Sequence, residues 1–111
     1  MIWRGETYSV DLGQPVGHEP AFCRPGVVVS VDLLNNGPGA LVVVVPITTA
    51  GYGLRSHVEL EPGTNGLDHI SYARCDQLRV VSVERMSSRR GMVGPDEMLA
   101  IDQALRFVLD L

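Results

Sequence analysis

Apolar positions along this chain recur with two different periods. In Glu6-Thr7-Tyr8-Ser9-Val10-Asp11-Leu12, Tyr8, Val10 and Leu12 fall on one side, the period-two pattern of a half-buried strand. Gly26-Val27-Val28-Val29-Ser30-Val31 and Ala40-Leu41-Val42-Val43-Val44-Val45 are unbroken runs rich in β-branched residues and predict buried strands. Between them, Asn35-Asn36-Gly37-Pro38-Gly39 is turn chemistry, so the two runs are expected to pair as an antiparallel hairpin. Pro46 lacks an N–H and is expected to end the ladder or mark a bulge or edge. His57-Val58-Glu59-Leu60 predicts a short strand. Ile70-Ser71-Tyr72-Ala73 predicts another, continuing through Arg74-Cys75-Asp76-Gln77 into Leu78-Arg79-Val80-Val81-Ser82-Val83. From Gly94 the period changes. Gly94 suits an N-cap, Pro95 the first helical position, and Asp96-Glu97 the positive helix end. Met98, Ile101, Leu105, Val108 and Leu109 then share a face, predicting a C-terminal helix of about four turns.

Short strands separated by Gly/Pro turns suggest a mainly β chain: a small closed or nearly closed antiparallel sheet, one side covered by the helix. The 111 residues suffice for one domain spanning 1–111 with a core that needs no disulfides. Residues 13–24 carry several glycines and prolines and form a long irregular loop, the kind that usually has a function. Residues 49–56 and 61–66 are further irregular stretches.

Composition narrows the function classes. With 45% apolar and 20% charged residues the chain has the balance of a soluble globular protein. No apolar run approaches the about 18 residues of a membrane span, and the first residues lack a secretory apolar segment, so a cytoplasmic, membrane-free setting is expected. Cys23 and Cys75 are then expected as thiols, and no Cys/His spacing suits a metal site. A net charge of -4 argues against a bulk-basic, non-specific nucleic-acid binder but allows a small basic site. Every cation is an arginine, a planar fork suited to phosphate or carboxylate.

Three stretches carry candidate chemistry: Gly17-His18-Glu19 through Cys23-Arg24-Pro25, Pro46-Ile47-Thr48-Thr49, and Tyr72-Ala73-Arg74-Cys75-Asp76-Gln77. Singly, each has a plain reading as an exposed loop histidine, a turn with hydroxyls, or a surface ion pair worth about 0–1 kcal/mol. Strand alternation would put Arg74 and Asp76 on one face. Together the three stretches supply what cleavage of a phosphodiester needs. Asp76 or His18 suits the base, Arg24 and Arg74 the clamp on the growing charge, and Thr48 and Thr49 the donors that fix the phosphate.

In this order the stretches resemble the MazF/PemK family of toxin–antitoxin ribonucleases. The likeness runs from Arg4-Gly5-Glu6-x-Tyr8-x-Val10-x-Leu12 through Gly17-His18-Glu19, Arg24-Pro25, Asn35 and Pro46-Ile47-Thr48-Thr49. It continues to Arg74-Cys75-Asp76-Gln77, similar to the Kid-like branch, then Arg85, Arg90-Gly91 and the terminal helix. The resemblance implies an SH3-like antiparallel barrel with a C-terminal helix, working as a homodimer. It implies metal-independent cleavage of single-stranded RNA at short sequences, without a cofactor. The 2′-hydroxyl attacks the adjacent phosphate and leaves a 2′,3′-cyclic phosphate and a 5′-hydroxyl. It implies a cognate antitoxin whose C-terminal segment covers the RNA groove. Carried over residue by residue, Arg24, Thr48, Asp76, Arg74 and His18 are the catalytic candidates. Glu19, Phe22, Thr49, Gln77 and Asn35 are the substrate-binding candidates, with Phe22 available to stack on a base. The family pattern makes Arg74 the acid. A guanidinium with a pKa above about 12 is better suited to clamping phosphate, with His18 able to supply a proton. Pro20 stands where the family usually has Gln, Thr49 where Ser is commoner, and residues 52–56 match no motif, so the cut sequence is not inherited.

Two other readings share the fold class. A CcdB-like gyrase-poisoning toxin would act through its C-terminal helix and need none of Arg24, Thr48 or Asp76. A non-enzymatic SH3-like binding module would need an aromatic groove, for which 5% aromatic residues offer little.

Overall fold

The computed structural model describes residues 1–19 and 22–111. In chain order it contains β1 (Glu6–Asp11), β2 (Cys23–Val28), α1 (Asp32–Asn35), β3 (Leu41–Thr48), β4 (His57–Leu60), β5 (Ser71–Arg74), β6 (Arg79–Ser82), β7 (Met86–Met92) and α2 (Pro95–Leu109). Single 3-10 turns at Cys75–Gln77 and Val83–Arg85 flank β6. All strand pairs are antiparallel, in the order β4-β5-β3-β2-β1-β7, with β6 also on β3. The mainly β architecture with a C-terminal helix is as expected. The path ends on β4 and β7, which do not pair among the described residues, so the barrel stays open.

β3 is the centre of the sheet. One edge pairs with β2; the other pairs first with β6, over Leu41–Val44, and then with β5, at Ile47 and Thr48. Of the outcomes expected for Pro46, an end to the ladder is not the one found: β3 runs through it, fully buried and opposite Gly26. The hydrogen-bond phase explains why. Val29 N–H donates to Val43 O at 3.0 Å. Odd-numbered β3 residues therefore turn their polar groups toward β2, and even-numbered ones turn them away. The missing N–H of Pro46 thus faces away from β2, between the last β6 pair at Val44 and the first β5 pair at Ile47, and leaves the β2 ladder intact.

Alternation sends β3 side chains into two cores. Val45 and Ile47 join Val27, Leu60 and Ala73 under Ile101 and Ala104 of α2. Val42 and Val44 join Val10, Leu12, Val28 and Val81 on the other face. Each buried valine contributes about 1.5–3 kcal/mol, so this one strand anchors both layers.

Several elements differ from expectation. The residue 26–31 run enters the sheet earlier, at Cys23, and leaves it at Val28, because Val31 becomes the N-cap of α1, a turn of helix inside the expected hairpin connection. The apolar stretch through residues 70–83 is two strands: β5 stops at Arg74, a 3-10 turn redirects the chain, and β6 crosses to the other end of β3. β7, with the sequence Met-Ser-Ser-Arg-Arg-Gly-Met, lacks apolar alternation, yet it pairs with β1 as an edge strand. Its arginines and serines suit an edge that must not recruit another chain. In α2, Ile101 and Ala104 are buried and Met98, Leu105 and Val108 pack on the core, whereas Leu109, expected on that face, is 49% exposed.

Two polar ties fix the periphery. Glu97 Oε2 accepts the Glu61 N–H at 3.0 Å and its Oε1 accepts the Gly94 N–H at 3.3 Å, joining the 61–66 turn to the helix start. That turn also presses on β7, since a Cβ at Gly91 would run into Thr64 O and one at Gly66, at φ +74°, into Arg90 O. Gly91→Ala should therefore cost about 2–4 kcal/mol in urea unfolding, against within about 0.5 kcal/mol for Gly39→Ala, whose Cβ would meet nothing.

The second tie is Glu6, whose buried carboxylate bonds Arg89, the Trp3 N–H at 2.6 Å and the Tyr8 hydroxyl at 3.3 Å. Burial pushes its pKa up, but the Arg89 bond and charge, with the Trp3 N–H, hold it below the ordinary carboxylate value. A carboxyl with a lowered folded pKa stabilises the fold above its unfolded value of about 4.3, and that contribution is lost as pH falls through the folded value. Urea midpoints should therefore fall on acidification below about pH 4.3, and Glu6→Gln should start lower and lose less over the same interval.

Candidate active site

The three chemistry-bearing stretches meet on one face of the β2-β3-β5-β4 sheet. Thr48 pairs with Tyr72, Tyr72 with Glu59, and Arg74 with His57. The β2–β3 register, continued from Gly26 opposite Pro46, sets Arg24 opposite Thr48. Alternation then puts Arg24, Thr48, Tyr72, Arg74, His57 and Glu59 on the same side. It is the side that carries Val44 and the second core further along β3. The apolar layer gives out beyond Pro46, and the polar row takes its place.

Asp76 arrives by a different route from the one expected. β5 ends at Arg74, so strand alternation does not place it; the 3-10 turn Cys75–Gln77 does. The turn buries Cys75 and swings the Asp76 carboxylate to His57, with Oδ1 3.1 Å from Nε2. The His57 side chain is 2% exposed and that of Asp76 33%. The Cys75 N–H donates to Ser56 O and the His57 N–H to Leu54 O, both at 3.0 Å, tying the turn to the start of β4. His57 also meets Tyr52 edge-to-face, with ring centroids 5.9 Å apart.

His18 reaches this place from the β1–β2 loop. It joins Tyr52, Leu54, His57 and Arg74 around a cavity of about 230 Å³. Arg74 Nε and His57 Nδ1 are buried without a hydrogen-bond partner among the described residues. Orphaned polar atoms beside a cavity are costly in a fold and are usual where a ligand completes them.

The other sequence candidates are distributed as follows. Thr48 Oγ1 accepts the Ala50 N–H at 3.2 Å, and Thr49 is exposed beside it. Gln77 is half-buried in the Asp76 turn. Glu19 Oε1 accepts the Val16 N–H at 2.9 Å, bracing the His18 loop. Phe22 is 60% exposed at φ 57°, its backbone held by bonds to Leu12 and Gly13 at 2.8 Å each, so the loop presents an aromatic ring to solvent. Pro20 lies outside the described residues. Asn35 is the correction. It is buried, its Nδ2 donates to Ser30 O at 3.0 Å, and its Oδ1 takes the Ser30 hydroxyl, whose oxygen accepts the Val43 N–H at 2.9 Å. This closes α1 against β3 about 16 Å along the strand from Thr48, so the amide serves the fold and not the cleft. Conversely, His57, Tyr52 and Leu54 line the cavity without having been singled out. The available signal was alternation in His57-Val58-Glu59-Leu60, which sets His57 opposite the core face, but only the register shows that Arg74 faces it.

A family comparison matches residues 3–109 to the PemK-like, MazF-like toxins of type II toxin–antitoxin systems. Endoribonuclease MazF9 of Mycobacterium tuberculosis is 34% identical over 116 aligned positions, covering 100% of this chain and 98% of that protein. Endoribonuclease EndoA of Bacillus subtilis is 28% identical, covering 100% and 97%. Among solved structures, an endoribonuclease from a mycobacterial species in complex with its cognate antitoxin superposes with a TM-score of 0.83 at 27% identity, covering 100% of this chain and 97% of that one. The fold and the family match thus place the chain among small β-sheet toxins. The chain belongs to the PemK-like, MazF-like family of type II toxins.

The two cysteines should behave differently. Burial, with the Asp76 charge beside it, pushes the Cys75 thiol up to about 12, so it forms little thiolate at neutral pH. Cys23 is exposed. A chromogenic disulfide reagent at pH 8 should react with one thiol in the native protein and a second only after denaturation; two fast thiols would contradict the buried turn.

Proposed function

We propose that this chain is a sequence-selective, metal-independent endoribonuclease that cleaves single-stranded RNA by attack of a ribose 2′-hydroxyl on the adjacent phosphate. The observation that carries this reading is the common face holding Arg24 and Thr48 beside Arg74, with the His18–Arg74 cavity and the Asp76 carboxylate at its end. Asp76 takes the 2′-hydroxyl proton as the 2′-oxygen bonds to phosphorus. The bond from phosphorus to the 5′-oxygen breaks, and His18 gives that oxygen its proton. The products are a 2′,3′-cyclic phosphate and a 5′-hydroxyl. Arg24 and Arg74 stabilise the charge on the phosphoryl oxygens, and Thr48 fixes one of them. Glu19, Thr49 and Gln77 position the strand, and Phe22 stacks on a base.

The proposal has two further parts, of which the family assignment and the antitoxin complex of the mycobacterial relative support the second. The chain acts as a homodimer, and it is held inactive by a cognate antitoxin. No helix is long and apolar enough to cross a membrane, and the cytoplasm is the compartment where the proposed substrate is found.

Purified protein incubated with a long RNA in EDTA should yield discrete fragments whose 5′ ends accept phosphate from a kinase without prior phosphatase. Arg24→Ala should lower the rate by about 10²-fold or more, the scale of one lost transition-state contact. Intact RNA with folded wild-type protein would instead favour a target other than RNA.

A further inference from the structure

In the chemistry just proposed His57 has no task, yet it is the group that touches Asp76. We propose that His57 is a positioning residue for cleavage: its Nε2–H holds Asp76 Oδ1, so that Oδ2 faces the 2′-hydroxyl. The inference rests on the reading of Asp76 as the base.

Asp76 needs such a hold. It sits in a single 3-10 turn with its side chain a third exposed, where water competes for the carboxylate and the side chain has several rotamers open to it. A general base contributes fully only when its oxygen is already aimed, because orientation is then not lost on reaching the transition state. His57 is rigid where Asp76 is not. Its ring is buried, its backbone is paired with Arg74 across β4 and β5, and Tyr52 packs edge-on against it. Donor and acceptor counts decide the bond's direction. A carboxylate only accepts, so the 3.1 Å contact requires a proton on Nε2, whereas Nδ1 has no partner among the described residues. The arrangement is that of a buried imidazole orienting a reactive group, the general logic of triads with the carboxylate as the working member.

The test separates acting through Asp76 from merely filling space. His57→Phe keeps a ring and loses the donor; His57→Gln returns an N–H near the same place. On an oligoribonucleotide spanning a mapped cut site, His57→Phe should lower kcat by about 10–100-fold with KM within about threefold, and His57→Gln should recover about fivefold or more. In an Asp76→Ala background, His57→Phe should change kcat by no more than about twofold, because the group it positions is gone. An undiminished loss in that background, a loss carried by KM alone, or no loss would overturn the proposal. Should His57→Phe fold poorly, nitrogen NMR of the wild-type imidazole decides: an Nε2–H tautomer that is disturbed by Asp76→Ala is expected, and an Nδ1–H tautomer, or no disturbance, overturns it. If wild-type protein leaves RNA uncut, the activity proposal fails by itself. The NMR result still stands or falls on the His57–Asp76 bond.

Discussion

The constraint on which the rest depends is that one strand, β3, must serve two cores and three neighbours at once. Its even-numbered residues pack on Val10, Val28 and Val81, its odd-numbered ones under α2. A strand buried on both faces has no solvent side for functional groups. Function can appear only where one of the two layers ends. On β3 that place is marked by Pro46, where the far edge passes from β6 to β5 and the apolar layer stops. Thr48 is the next residue on that face, Tyr72 pairs with it, and Arg24 lies on the same face of β2.

The polar row therefore follows from the packing. The same alternation that places Val42 and Val44 in the second core carries Thr48 to its rim. The same alternation that places Val28 in the second core puts Arg24 on that face of β2. Asp76 is the exception, because it belongs to no strand. It depends on a turn held by Cys75 burial and a bond to Ser56 O, and then on His57. The site thus has a rigid part, which suits binding phosphate, and a part positioned by side-chain contacts, which suits moving a proton.

The loops contribute by a different physics. Residues 13–19 and 49–56 carry His18, Tyr52 and Leu54 to the cleft from irregular backbone, held by a few hydrogen bonds such as Val16 N–H to Glu19. Groups held on paired strands are fixed by the ladder, whereas groups on loops rest on fewer bonds and adapt more easily.

By itself the sequence determined the class of fold, the helix from Pro95 with its Gly94 cap, the valine strands, and the family that its ordered motifs resemble. Each of these is written in local terms: hydrophobic period, capping residues and motif order. What the sequence left undetermined is non-local. Nothing in Met86–Met92 announces a strand, because its pairing with β1 is supplied by the partner and not by an apolar pattern of its own. Nothing near Asn35 shows that its amide is engaged by Ser30, and nothing near Asp76 shows that His57 holds it, nineteen residues back along the chain. Strand order and register decide such contacts. They are set by how two cores close around β3, and only the tertiary structure contains that sum.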